Sequence, residues 1–159
     1  MRVGHGYDIH RLAAGRRLMI GGVQVPSEQG AVGHSDADVL LHAVVDAILG
    51  ALKAGDIGRH YPDTDPAWRG ADSTRFARET AARARETGWE PVNVDATVLL
   101  ERPKLAEHVP AIEQRVAQCL DLGVDRVNVK AATNEGLDAV GEGRAIACHA
   151  VVLLARRHR

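Results

Sequence analysis

The sequence predicts an α+β fold, a mixed four- to five-stranded sheet with three helices on one face. Two observations carry that reading. β-Branched, alternating stretches flank three capped segments of helical period, in the order β-β-α-α-β-α-β-β. The final strand-like stretch, "AVVLLA", is apolar on both of its faces, so both faces of the sheet must be covered. Three helices suffice for one face, which leaves the other for packing of identical subunits through their sheets.

Residues 2–12 and 17–25 read as two strands separated by "AAGRR". The segment "HSDADVLLHAVVDAILGALKAG" reads as the first helix, with Ser35 and Asp38 making a capping-box-like start and Gly55 the stop. "DIGRHYPDTDPAWRGADS" is rich in Pro, Gly and Asp and reads as loop. Asp72 or Ser73 caps a second helix that runs to about Thr87, where Gly88 ends it. "PVNVDATVLLE" alternates and is β-branched, hence a strand. Pro110 suits the first turn of a third helix, "PAIEQRVAQCLDLG", ended by Gly123. "DRVNVKAAT" and "RAIACHAVVLLA" are the last two strands.

The chain of 159 residues reads as one domain, 1–159, with no linker or repeat to divide it. Twenty basic residues against 21 acidic ones leave a net charge of -1, and only 3% of residues are aromatic. That balance disfavours nucleic acid and an anionic membrane surface as partners. No apolar run is long enough to span a bilayer, and the charged, glycine-containing start is unlike a signal peptide. Cys119 and Cys148 lack metal-type spacing and read as small core residues, not a disulfide. The expected address is the cytoplasm.

The stretch "GHGYDIH" places Asp8 and His10 on one strand face and His5 on the other. Asp-x-His by itself is weak, and the first helix strengthens it. That helix is apolar nearly all round, so it should be buried, yet Asp38, His42 and Asp46 recur every four residues along it. Buried carboxylates without partners are costly. Two explanations compete: hydrogen bonds to loop backbone, or His42 joining Asp8 and His10 on a divalent metal. Two imidazoles and a carboxylate suit zinc and keep a fourth position for a substrate oxygen. On the second explanation Asp38 or Asp46 would hold the ligands from behind.

"GHGYDIH", "GHSDADVLLHAVVDAILGAL", "GDIGRHYPDTDPAWRGADS", "RPKL" and "VNVKAATNEGL" closely resemble the 2-C-methyl-D-erythritol 2,4-cyclodiphosphate synthase family of the non-mevalonate isoprenoid pathway. The resemblance runs from Met1 to about Arg156, with the five motifs in the family's order. It implies a homotrimer with active sites between subunits. It also implies cyclisation of a cytidine-diphosphate-linked methylerythritol 2-phosphate with release of CMP. Asp8, His10 and His42 would bind Zn2+, and Glu135 a second ion, Mg2+ or Mn2+. His34 and Thr133 would stabilise the transition state. Ser35, Asp56, Ile57, Gly58, Tyr61, Pro62, Asp63, Thr64 and Asp65 would line the methylerythritol phosphate pocket. Leu100, Glu101, Arg102, Pro103, Lys104, Leu105 and Ala106, with Ala131, Ala132 and Thr133, would form the cytidine pocket, lent by a neighbouring subunit. Because the family motif begins at the first residues, no fused cytidylyltransferase is expected ahead of it.

The chain departs from the common family pattern in three places. "AATNE" stands where a Thr-rich "ATTTE" is usual, so Ala132 brings no hydroxyl. "GEGRAIA" sets Glu142 before Arg144, and Ala139 occupies a position where members carry an aromatic. Of the other histidines, His5 would brace the metal strand from behind. His60, His108 and His158 read as surface residues, and His149 as a satisfied sheet residue. Two rival functions share these residues: a metal-dependent phosphohydrolase, and a non-catalytic trimer binding isoprenoid diphosphates in an axial cavity.

Overall fold

The structure, a computed structural model, describes residues 1–157, so His158 lies outside the described residues. The fold is mixed α+β. Its main sheet has five strands: β1 (Arg2–Ala14), β4 (Gln29–Ala31), β5 (Trp89–Leu99), β6 (Val127–Ala132) and β7 (Ala145–Arg156), in the order β4-β1-β7-β5-β6. All pairs are antiparallel except β5 with β6. A parallel pair needs a crossover, and helix α4 (Val109–Leu120) supplies it. Helix α1 (Val39–Leu52) lies on β1 and β7, α3 (Ser73–Glu86) touches α1 and β5, and α4 touches α3 and β6. Being packed between sheet and α3, α1 is buried nearly all round, which accounts for its largely apolar sequence.

β7 is the central strand. Its even-numbered residues Ile146, Cys148, Ala150, Val152 and Leu154 are fully buried with α1 and β5. The odd-numbered His149 and Val151 are exposed, in register with Tyr7 and His5. Val3, Tyr7, Ile9 and Val151 leave a large apolar area on this outer face.

The glycines of "GHGYDIH" have a packing reason. A Cβ on Gly4 would sit 1.8 Å from the Ala47 carbonyl oxygen, and one on Gly6 would sit 1.9 Å from that of Ala43. The axis of α1 therefore rests directly on the β1 backbone, with no side chain between them. Asp8 and His10 continue the same face of β1 beyond these glycines. They meet α1 at its first turn, where His42 stands.

Several boundaries differ from the sequence expectation. The strand expected at 17–25 is a hairpin of β2 (Leu18–Ile20) and β3 (Val23–Val25), turned at Gly21 and Gly22 with φ of 60° and 76°. Two consecutive left-handed glycines form the two-residue turn that fits a hairpin's twist. The three-residue β4, unexpected, pairs with the end of β1.

Helix α1 starts at Val39 with Asp38, not Ser35, as its cap, because Ala37 is left-handed at φ 56° and breaks any earlier start. It ends at Leu52 on a left-handed Lys53, short of Gly55. Asp72 caps α3 as expected. α4 ends on a left-handed Asp121, ahead of the expected stop at Gly123. The loop after α1 contains a short α2 (Ile57–His60), capped by Asp56, and a 3-10 turn over Pro66–Trp68. A four-residue α5 (Asp138–Gly141), also unexpected, packs Val140 and Ala139 on Ala145, Ala147 and Leu99.

Candidate metal centre and cleft

Asp8 and His10 from β1 and His42 from α1 converge on one point. His10 Nε2 lies 2.8 Å and His42 Nδ1 2.9 Å from Asp8 Oδ2, and the two nitrogens are 3.2 Å apart. A tetrahedral ion with bonds near 2.0 Å would separate its ligand atoms by about 3.3 Å, so the triangle is within a small relaxation of that geometry. Among the described residues this is the one group of three such side chains whose ligand atoms close around a point. One carboxylate oxygen and two imidazole nitrogens are a donor set for zinc or a similar divalent ion, and the arrangement fits one.

The electrostatics follow from crowding. Burial alone would push the Asp8 carboxyl up, but hydrogen bonds from His10 and His42 and their positive charge hold it well below the usual carboxylate range. Burial disfavours an imidazolium at His42, yet the hydrogen bond and charge of Asp8 outweigh it, and its pKa lies above the ordinary histidine value. Without metal, Asp8 thus favours a proton on the His42 imidazole. A divalent ion must displace that proton to reach the His42 Nδ1 lone pair. Zinc affinity is accordingly expected to rise with pH, by roughly tenfold per unit below the raised His42 pKa, and then to level off. Competition against a chromophoric chelator between pH 6 and 9 measures this; a pH-independent affinity would contradict it.

The centre forms one wall of a cavity of about 450 Å³. Of the residues expected there, His34, Ser35, Ile57, Gly58, Tyr61 and Asp63 line it. Asp56, Pro62, Thr64 and Asp65 do not: Asp56 caps α2, and Asp65 caps the 3-10 turn while its carbonyl accepts from His34 Nε2 at 3.1 Å. Sequence reasoning missed the apolar wall. Phe76 of α3 stacks on Tyr61 at 4.3 Å between centroids, and Trp68 meets Phe76 edge-on at 5.7 Å. Phe76 has the spacing of an ordinary core position, so the chain offered no signal for it.

The two carboxylates of the helix stripe do not hold the metal ligands. Asp38 accepts from the backbone N–H of Gly21, Gly22 and Leu41, tying the β2–β3 turn to the start of α1. Asp46 accepts the Ile57 N–H at 2.6 Å and anchors the cleft loop. Burial raises the pKa of both. For these two positions the expectation of hydrogen bonds to loop backbone is the correct one. The group behind His42 is Ser73, whose Oγ lies 2.9 Å from Nε2, with Ser35 Oγ at 3.1 Å.

A second cluster lies elsewhere. β5 and β6 are parallel and end together, and the Leu100 N–H donates to the Ala132 carbonyl. The 100–106 loop thereby adjoins Ala131, Ala132 and Thr133. Leu100 and Leu105 are core residues, Glu101 is half-buried, and Ala106 is exposed. Arg102, Pro103 and Lys104, with Ser27, Glu28 and Gln29, line a separate cavity of about 590 Å³. Glu135 is exposed, and Thr133 Oγ1 donates to it at 3.3 Å. β6 stands three strands from β1, which is roughly 14 Å at ordinary strand spacing. Thr133 and Glu135 follow β6, and neither lines the Asp8 cleft of its own chain.

The remaining positions are structural. His5 sits on the outer face against His149, Nε2 to Nδ1 at 3.1 Å. His60 Nε2 donates to the Ala54 carbonyl, and His108 begins α4. Arg144 is paired with Glu142. Cys119 and Cys148 are buried and unbridged. Among the described residues no helix is long and apolar enough to cross a membrane.

The comparisons with known proteins cover the whole architecture. The YgbB family profile matches residues 1–155. The 2-C-methyl-D-erythritol 2,4-cyclodiphosphate synthase of Geotalea daltonii is 54% identical over 158 residues, covering 99% of this chain and 92% of its own. A solved 2C-methyl-D-erythritol-2,4-cyclodiphosphate synthase in a CDP-bound form superposes with TM-score 0.90 at 40% identity, covering 97% of this chain and all of its own. The bifunctional IspDF from Campylobacter jejuni superposes with TM-score 0.94 at 39% identity over 98% of this chain, which spans 42% of that longer protein. The chain belongs to the YgbB family, whose relatives carry the name 2-C-methyl-D-erythritol 2,4-cyclodiphosphate synthase, and it is a lyase of that kind.

Proposed function

We propose that this chain is a divalent-metal-dependent, homotrimeric synthase of the non-mevalonate isoprenoid pathway, working in the cytoplasm. It closes 4-diphosphocytidyl-2-C-methyl-D-erythritol 2-phosphate to 2-C-methyl-D-erythritol 2,4-cyclodiphosphate and releases CMP. The observation that carries this reading is the convergence of Asp8 Oδ2, His10 Nε2 and His42 Nδ1 on the wall of the cleft. The relative solved with CDP supports a cytidine diphosphate group as the ligand class.

In this reading an oxygen of the substrate's 2-phosphate attacks the β-phosphorus. The bond from that phosphorus to the bridging oxygen breaks, and CMP leaves with its electron pair. The nucleophile needs no general base, because a phosphate monoester with a second pKa near 6 is largely dianionic at neutral pH. Positioning and charge cancellation are what the chain must supply. Zinc on Asp8, His10 and His42, with Mg2+ or Mn2+ on Glu135, supplies electrostatic stabilisation of the diphosphate when bound.

Ser35, Ile57, Gly58, Tyr61 and Asp63 hold the methylerythritol phosphate, with Asp56, Pro62, Thr64 and Asp65 shaping the loop behind them. His34 and Thr133 donate to phosphoryl oxygens. The 100–106 loop and Ala131, Ala132 and Thr133 hold the cytidine. Because Thr133 and Glu135 do not line the Asp8 cleft of their own chain, an adjacent subunit donates them. The apolar outer face, with Val3, Tyr7, Ile9 and Val151, is the surface through which the trimer packs.

Incubating metal-replete protein with the cytidylyl substrate and following phosphorus resonances tests the reading. Cyclic diphosphate and CMP are expected. CMP with an opened, linear bisphosphate would mean that water is the nucleophile and would replace the synthase reading by a hydrolase.

A further inference from the structure

We propose that Ser73 and Asp36 form a relay that positions His42 for the metal, an inference that rests on the metal reading above. An imidazole that offers Nδ1 to an ion carries its proton on Nε2. In this fold Nε2 faces two hydroxyls, Ser73 Oγ at 2.9 Å and Ser35 Oγ at 3.1 Å. Ser73 is completely buried, whereas Ser35 lies half-exposed on the cleft wall. The buried hydroxyl is the one placed to accept the Nε2 proton at all times. Its own hydrogen then goes to the Asp36 carboxylate, with which it makes a short contact.

Asp36 is locked in that role. Its Oδ2 accepts the Ser73 N–H at 3.0 Å, its Oδ1 accepts the Asp38 N–H at 3.2 Å, and its own N–H donates to the Ala71 carbonyl. Ser73 is the first residue of α3, but the helix does not need its hydroxyl. Asp72 already caps it, accepting from the Thr74 N–H at 2.8 Å. A buried hydroxyl with no duty to the helix, held between a carboxylate and a metal-facing imidazole, is what a ligand-orienting chain requires. It fixes the tautomer, fixes the ring plane and makes Nδ1 more basic. It also joins the first turn of α3 to the loop carrying His34 and Ser35.

Metal affinity and the cobalt spectrum test the relay without depending on turnover. Ser73→Ala is expected to weaken zinc binding by about 10- to 100-fold against a chelator and to shift the visible bands of the cobalt-loaded protein. The melting temperature of its metal-free form should stay near wild type. Asp36→Asn keeps the side chain's size and one acceptor oxygen but loses the charge and the second acceptor, so it should also weaken zinc binding; it also serves if Ser73→Ala does not fold. Wild-type affinity and spectrum in both variants would overturn the relay and leave the metal centre standing. A wild-type protein that takes up neither zinc nor cobalt would instead overturn the metal reading itself.

Discussion

Replacing His42 with alanine is expected to leave a folded protein that retains no zinc and turns over at least about 1,000-fold more slowly, a loss of roughly 4 kcal/mol of transition-state stabilisation. The fold should persist because ten other residues of α1 are buried, from Val39 to Ala51, and its contacts with β1 and β7 do not pass through the imidazole. The centre should fail because Asp8 and His10 alone offer two ligand atoms, and two do not hold a divalent ion against dilution. Metal analysis of the purified variant, with turnover on the cytidylyl substrate, measures both. Full activity would reject the ligand assignment, and a variant that is inactive yet zinc-loaded would move His42 from metal binding to another role.

Two inactive variants are expected to restore one another. If the Asp8 centre of one subunit works with Thr133 and Glu135 of the next, neither His42→Ala nor Glu135→Ala chains have a complete site alone. In mixed trimers assembled from equal amounts, about a quarter of the sites join an intact centre to an intact neighbouring arm, so about a quarter of wild-type activity should return. The prediction follows from strand order. β1 and β6 are separated by β7 and β5, and neither Thr133 nor Glu135, which follow β6, lines the Asp8 cleft of its own chain. Co-refolding the two chains and assaying the mixture decides it. No recovery, with mixed trimers demonstrated by mass, would mean that each site lies within one chain.

Much of this was legible in the chain itself. The two-residue period of a strand put Asp8 and His10 on one face, and the Asp72 cap fixed the start of α3. Other features were not legible, each for its own reason. Asp38 and Asp46 lie on the same stripe as His42, but their partners are backbone amides of Gly21, Gly22 and Ile57, which only folding brings near. The 17–25 strand broke into a hairpin because two glycines took positive φ together. Ser73 begins α3, as its position suggests, and no spacing shows that its Oγ also lies 2.9 Å from His42 Nε2.

The sequence by itself determined much of the local geometry: which side chains share a face, where α3 is capped, and which residue types could ligate an ion. Periodicity and capping are set by backbone geometry over a few residues, so short spacing is enough to read them. Only the tertiary structure decided which distant groups meet. It rested α1 directly on Gly4 and Gly6, set Ser73 against His42, and kept Thr133 and Glu135 out of the Asp8 cleft. Those contacts depend on strand order and close packing across the whole sheet, and no local spacing encodes them.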